Sequence, residues 1–334
     1  MKIVLFGDQR VGVWQGEQVV DANGAVAKLL IEKRGARNGE AEAAEVAPPN
    51  LSAFIAAGRR ALDLAREAAE YAVSSGAGEP VVYSQGAVKL QAPWLRGNRI
   101  ACAGANFALH LAGIRAANEG KELNVDEVRR QSREGGPWGF WKVPDVVKAT
   151  DEDVRYPKRA TLFDYEGEAA VIIGQPARDV SATQARACFW GVTLVNDWSI
   201  RNDMGQGRPM SFNLPKVFDD STSMGPCILV DDFDPQNIAV RTTVNGQVRQ
   251  DYNTDQMTWS FAEFLELLSR DFTFQPGDVI SSGTGAGTAM DSSRPGPDGQ
   301  RSTAMYLQPG DVVEVSSPNI GSLRNRIVNK EGTR

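Results

Sequence analysis

The sequence predicts an α+β protein, mainly β, in which a small N-terminal α/β part (1–95) precedes a larger, strand-rich part (96–334). Three observations predict this. After about residue 100 the segments are short, β-branched and bounded by turn formers. Asn245-Gly246 stands between two β-rich arms, the strongest short hairpin signal in the chain, because both residues tolerate positive φ. Two Pro-Gly-Asp turns, at Pro276 to Asp278 and Pro309 to Asp311, each lead into a β-branched strand.

Taken in order, Lys2 to Val20 has the mixture of apolar residues and turn formers expected of short strands and hairpins. Arg34 to Pro49 is polar and without clear period, which suits an exposed connection or another short helix. From Leu51 to Ser74, residues Leu51, Phe54, Ile55, Leu62, Leu64 and Ala68 recur at three and four after Pro48-Pro49-Asn50, so one amphipathic helix is expected there. A boundary is placed at Pro93 to Asn98, ahead of the strand Ile100 to Ala103. Further strands are expected at Thr161 to Ile173, Gly191 to Asn196, Cys227 to Val230, Ala239 to Gln250, Val279 to Ser282 and Val312 to Ser316. Helices are few here: Ser181, with Gln184 completing a capping box, to about Trp190, and about Thr258 to Ser269. Strands do not alternate with helices, which excludes a doubly wound parallel sheet.

With 334 residues and 42% hydrophobic content the chain can bury a large core. A formal net charge of -6 recruits no polyanion, so nucleic acid is not an expected partner. The apolar stretch at the start is far shorter than a signal sequence requires, and no run approaches the roughly 20 apolar residues that span a bilayer. A cytoplasmic protein without membrane attachment is expected. Cys102, Cys188 and Cys227 are widely spaced and read as small buried hydrophobes. His110 is the only histidine, so imidazole chemistry has one source.

The segment Phe163-Asp164-Tyr165-Glu166-Gly167-Glu168 runs directly into Ala169-Ala170-Val171-Ile172-Ile173. On a strand, alternate side chains share a face, so Asp164, Glu166 and Glu168 would project together from a segment that continues into the core. A solvated edge is the ordinary reading of such a pattern. The apolar continuation, and a second acidic position at Asn196-Asp197-Trp198 closing the strand Val192 to Val195, argue instead for buried carboxylates neutralised by a cation. An all-oxygen donor set fits a hard ion, Mg²⁺ or Mn²⁺, with Ca²⁺ as a further option.

These motifs, followed by Gly191-Val192-Thr193 and Asp197-Trp198-Ser199-Ile200-Arg201, resemble the fumarylacetoacetate hydrolase family. Lys216-Val217-Phe218-Asp219, Met224-Gly225-Pro226, Gln275 to Ile280 with Gly283-Thr284, and Gly321 to Asn325 follow in the family's order, as does the earlier Cys102 to His110, so the likeness spans about 96–330. The resemblance implies a mixed β-roll, usually within a homodimer, holding Mg²⁺ or Mn²⁺ on Glu166, Glu168 and Asp197. It further implies that His110, with an acidic partner, activates water, and that Lys216, Arg201 and Thr284 contact substrate. The activity implied is cleavage of a carbon–carbon bond in a small dicarbonyl or 2-oxo acid. Alternatives are decarboxylation, tautomerisation or hydration of an oxaloacetate-like or enol acid on the same scaffold, or non-catalytic binding of a small acid.

Two departures bear on this reading. Where relatives with a short lid carry the acidic partner three positions after the histidine, this chain has Gly113, leaving Glu119, Glu122 and Asp291 as candidates. Met204 stands where many relatives have glutamine, which would remove a substrate hydrogen bond; Gln206 nearby and Asn106 in the motif before His110 are, with Glu119 and Glu122, candidate substrate or lid contacts. The charged stretch Leu111 to Pro137, including Lys121, is expected to form a helical lid or, equally, a plain solvated helix, and Asp291 to Ser302 a surface loop.

Overall fold

The computed structural model describes residues 1–120, 122–202, 212–293 and 302–329, and the side chains of all these except Asn118 and Glu119. Met204, Gln206, Lys121 and most of the expected loop after Asp291 lie outside these residues, as does the Glu119 side chain.

The N-terminal part forms β1 (Lys2–Phe6), β2 (Arg10–Gln15), β3 (Gln18–Asp21), α1 (Ala22–Arg34), α2 (Gly39–Val46), α3 (Leu51–Ala56), α4 (Gly58–Ser74), β4 (Val82–Ser84) and β5 (Leu90–Gln91). The single helix expected over Leu51 to Ser74 is two, because Gly58 takes φ +69° and breaks the ladder there. β6 (Ile100–Ala103), α5 (Ala108–Glu119), α6 (Val125–Gly135) and β7 (Gly139–Lys142) follow, so the expected lid is a pair of helices. Then come β8 (Asp153–Arg155), β9 (Phe163–Asp164), β10 (Gly167–Ile173), α7 (Ala182–Ala185), β11 (Phe189–Asp197), β12 (Ser199–Ile200), α8 (Asn213–Lys216) and β13 (Thr222–Leu229). The chain closes with β14 (Ala239–Val244), β15 (Gln247–Asn253), α9 (Phe261–Leu268), β16 (Val279–Ser281), α10 (Ala289–Ser292), β17 (Val312–Ser317) and β18 (Gly321–Val328). The helix expected from Ser181 to Trp190 keeps its capping box but is far shorter, and Trp190 belongs to β11.

One sheet of eleven strands runs β4-β3-β2-β1-β13-β11-β10-β16-β6-β7, with β5 added beside β1. A second runs β15-β14-β17-β18-β8. β1 pairs antiparallel with β13, so the large sheet crosses the position expected for a domain boundary. The central strands β10 and β11 are buried along their whole length, as near-continuous apolar runs require. The helices of the N-terminal part pack against one face, where Leu29, Phe54 and Leu62 share a core with Val195, Met224 and Ile228. No described helix is long and apolar enough to cross a membrane.

Asp231, just after β13, clamps the two parts together. It pairs with the Met1 ammonium at 3.3 Å, with Arg59 at 3.3 Å and with Arg66 of α4. Burial pushes its carboxyl up, but the Arg66 hydrogen bond and the N-terminal ammonium outweigh this and leave it below the ordinary carboxylate value. A carboxyl lowered on folding gives stability that is fully present above the unfolded value of about 4 and lost as pH falls through the folded one. Melting temperature is therefore expected to fall on acidification below about pH 4, and Asp231→Asn to flatten part of that fall. Identical acid sensitivity in both proteins would remove the clamp from the account.

Candidate active site and metal centre

The site sits where β10 begins beside the end of β11. Their register opposes Gly167 to Asn196, and the Asp197 amide donates to the Glu166 carbonyl at 2.9 Å, while the Glu166 amide donates to Asn196 Oδ1 at 3.0 Å. Trp198, fully buried, fixes the corner: its ring stacks on Phe163 at 5.7 Å and its indole N–H donates to Ser223 at 2.8 Å. Such an aromatic pair adds about 0.5–1.5 kcal/mol beyond burial. Glu166, Glu168 and Asp197 are brought together as expected, with one oxygen of each within 4.8 Å of the others. Asp164 does not join them. The strand expected to carry all three is interrupted at Tyr165-Glu166, and Asp164 turns to Arg201 and to the backbone N–H groups of Ala289 and Met290 at 2.8 and 3.1 Å.

Three buried cations answer the acids. Lys216 reaches Glu166 and, at 2.8 Å, Asp197; Arg201 bridges Asp164 and Glu166; Lys142 of β7 reaches Asp197 and the Ser221 carbonyl. Burial opposes ionisation of Glu166, yet Lys216, Arg201 and His110 hold its carboxyl down to about 2. Glu168 is different. Its recorded partner is the Ser281 hydroxyl rather than a cation, and burial, then Asp197 and Glu166, push its carboxyl well above the usual range. A buried, crowded carboxylate on an all-oxygen cluster is the environment a hard divalent cation relieves, so the residues present fit Mg²⁺ or Mn²⁺ on Glu166, Glu168 and Asp197.

His110, 5% exposed on α5, meets Asp291 of α10, 7% exposed, with Nδ1 to Oδ2 at 2.6 Å. Among the described side chains of the candidate partners, Asp291 is the one in contact, while Glu122 is exposed. Asp291 is thus a buried residue on a short helix, not the start of a surface loop. It is braced by the Gly287 amide at 3.1 Å and by the Asp164 bonds that anchor the start of α10. Gly113 explains the substitution: a Cβ there would lie 2.9 Å from the Cβ of Asp291, so the glycine clears the space that the acid enters from another segment. Gly113→Ala should raise helix propensity by about 1 kcal/mol yet displace Asp291. We expect turnover to fall by about 10²-fold, the scale of a 1 Å misplacement, with the melting temperature held. Unchanged turnover would show that the dyad tolerates displacement.

The other expected substrate contacts are placed differently. Thr284 is buried, its hydroxyl donating to the Gly167 carbonyl at 2.9 Å and accepting from Gln250 at 2.7 Å, so it braces the turn beside Glu168. Asn106 staples its loop to Trp259 and Ser282 through both ends of its amide. Lys142 was missed by the sequence reading. The available signal was a lysine closing the aromatic strand Gly139-Phe140-Trp141, where an unpaired charge would not be tolerated.

The sequence profile described as fumarylacetoacetate (FAA) hydrolase C-terminal matches residues 99–328. The chain belongs to the fumarylacetoacetate hydrolase family. Among family relatives, the oxaloacetate tautomerase YisK of Bacillus subtilis (strain 168) is 31% identical over 288 residues, covering 85% of this chain and 88% of its own. The human mitochondrial oxaloacetate tautomerase FAHD2A is 28% identical over 283 residues, 84% of this chain and 80% of its own. Among solved structures, the fumarylacetoacetate hydrolase of Exiguobacterium antarcticum superposes with a TM-score of 0.69 at 25% identity, covering 99% of this chain and 100% of that one. The mixed, sheet-dominated fold is therefore that of the family along nearly the whole chain, including the N-terminal part.

Proposed function

We propose that the protein is a divalent-metal-dependent tautomerase acting on an enolisable 2-oxo acid of the oxaloacetate kind. The observation that carries this is the buried His110–Asp291 pair, tied to the Glu166, Glu168 and Asp197 cluster because the start of α10 donates to Asp164, which shares Arg201 with Glu166. Two relatives named oxaloacetate tautomerases, which match more than four-fifths of the chain, support it. When bound, the cation supplies Lewis acidity to the adjacent carboxylate and keto oxygens of such an acid. Asp291 accepts from Nδ1–H of His110, which leaves Nε2 with the lone pair. Nε2 can then take a proton from C3 as the C–H electrons form the C2–C3 double bond, and return it to the oxygen on C2. Lys216, held as the ammonium by Asp197 and Glu166 against the effect of burial, offers positive charge where that oxygen becomes negative.

The completed dyad also favours a second reading, hydrolysis of an acylpyruvate, because Nε2 could equally take a proton from water for attack on the distal carbonyl. The test is incubation with oxaloacetate and with an acylpyruvate in the presence of Mg²⁺ or Mn²⁺. Accelerated enol–keto exchange without cleavage of either is expected; cleavage of the acylpyruvate with no effect on enol–keto exchange would replace the first reading by the second.

A further inference from the structure

Along β7, alternate residues share a face, so Lys142, Phe140 and, one step beyond the strand, Trp138 line up in a row. The first of these reaches Asp197, which sets the row's direction: it leads outward from the carboxylate cluster. A second row stands opposite, with Lys216 closing α8 and Phe212 four residues before it. The two rows meet. Phe140 and Phe212 stack at 5.0 Å and 12°, Trp138 lies 5.1 Å from Phe212, and the Lys216 ammonium sits 5.6 Å from the centre of the Phe140 ring. The result is a cationic floor around Asp197, a pair of stacked rings above it, and an indole at the rim that is 40% exposed.

The wall is held in place from behind. A Cβ on Gly104, in the segment leading to His110, would come within 2.4 Å of the Trp138 ring, so the indole lies directly against that backbone. On the opposite face of β7, Trp141 packs on Phe272 and Phe274.

We infer that, beside oxaloacetate-like acids, the site admits and prefers 2-oxo acids whose distal substituent is flat and apolar, packed against Trp138, Phe140 and Phe212; this rests on the chelated 2-oxo acid reading above and widens its substrate class beyond a distal carboxylate. The floor cations Lys142, Lys216 and Arg201 are each engaged by Asp197, Glu166 or Asp164, so they hold little charge in reserve for a second carboxylate. Ring faces carry negative potential, which repels a distal carboxylate and favours an apolar or aromatic plane.

The test uses the full chain loaded with Mn²⁺ and calorimetric titration of three unreactive ligands that share one chelating head: oxalate, N-phenyloxamate and oxalylglycine. N-phenyloxamate is expected to bind at least about tenfold more tightly than oxalylglycine, the lower end of what a shaped apolar pocket discriminates. In Trp138→Ala most of that ratio should vanish, and in Trp138→Phe most of it should remain. Oxalate, which has no distal group, serves in each variant as the reference for folding and metal loading. Oxalate binding with no aryl preference, or an aryl preference untouched in Trp138→Ala, would overturn the wall alone; failure of oxalate to bind the Mn²⁺-loaded protein would overturn the chelate reading and the wall with it.

Discussion

Glu168→Gln is expected to abolish turnover and to cancel the rise in melting temperature that Mg²⁺ or Mn²⁺ gives the unsubstituted protein. A cation at about a hundred times its dissociation constant stabilises the folded state by about 2.7 kcal/mol, a shift of a few degrees in a chain of this size. The substituted amide keeps the shape and can still accept from Ser281, but it removes the charge whose neutralisation makes binding favourable. In the absence of added metal the variant should melt no lower than the parent, because burial, Asp197 and Glu166 all oppose ionisation of Glu168, so the neutral amide forfeits no favourable charge interaction. That combination separates a lost ligand from a lost fold. Chelator-insensitive turnover in the variant would end the metal assignment.

His110→Ala and Asp291→Asn should each cut tautomerisation by roughly 10²–10⁴-fold, the usual scale of general acid–base catalysis, while leaving the metal-induced thermal shift intact. The reasons differ. The first removes the proton carrier; the second leaves the ring in place but removes the acceptor that fixes Nδ1 as the donor, so the tautomer with its lone pair on Nε2 is no longer favoured. If both variants tautomerise at the parent rate but no longer cleave an acylpyruvate, the dyad serves hydrolysis, and the cation with its flanking lysines suffices for the enol. Loss of the metal shift in either variant would mean that the pair supports the cluster rather than the chemistry.

What the sequence discloses is set by how locally each feature is encoded. Asn245 and Gly246 both take positive φ in a tight hairpin, and the Ser181–Gln184 capping box forms, because each depends on a handful of adjacent residues. The acidic cluster was legible for the same reason: Glu166 and Glu168 are two apart, and Asp197 closes a strand whose apolar pattern is plain. The partner of His110 lies 181 positions away, and nothing near either residue announces the contact. Gly113 carried the message in negative form, as a gap where an acid was expected, and only the packing of α10 against α5 shows what fills it. Strand alternation puts Asp164 on the face of Glu166 and Glu168, but the strand breaks at Tyr165-Glu166 and sets it apart from them. Thr284 and Asn106 have the chemistry of ligand contacts, but their hydrogen bonds are taken up by the chain itself.

The pairing of β1 with β13 has a consequence for how the protein is made. Lys2 lies opposite Leu229, so β1, once synthesised, waits for a partner more than 200 residues downstream. At synthesis rates of 5–20 residues per second that delay is about 10–40 s, long compared with collapse of a nascent chain. During it, the edge of β1 that β13 will cover, at Lys2 and Ile3 beyond the stretch taken by β5, is unpaired backbone, the kind of template on which strands of other chains add. Chaperone demand and yield at high expression should therefore depend on how well α1 to α4 shield that hairpin, even though none of those helices carries a residue of the active site.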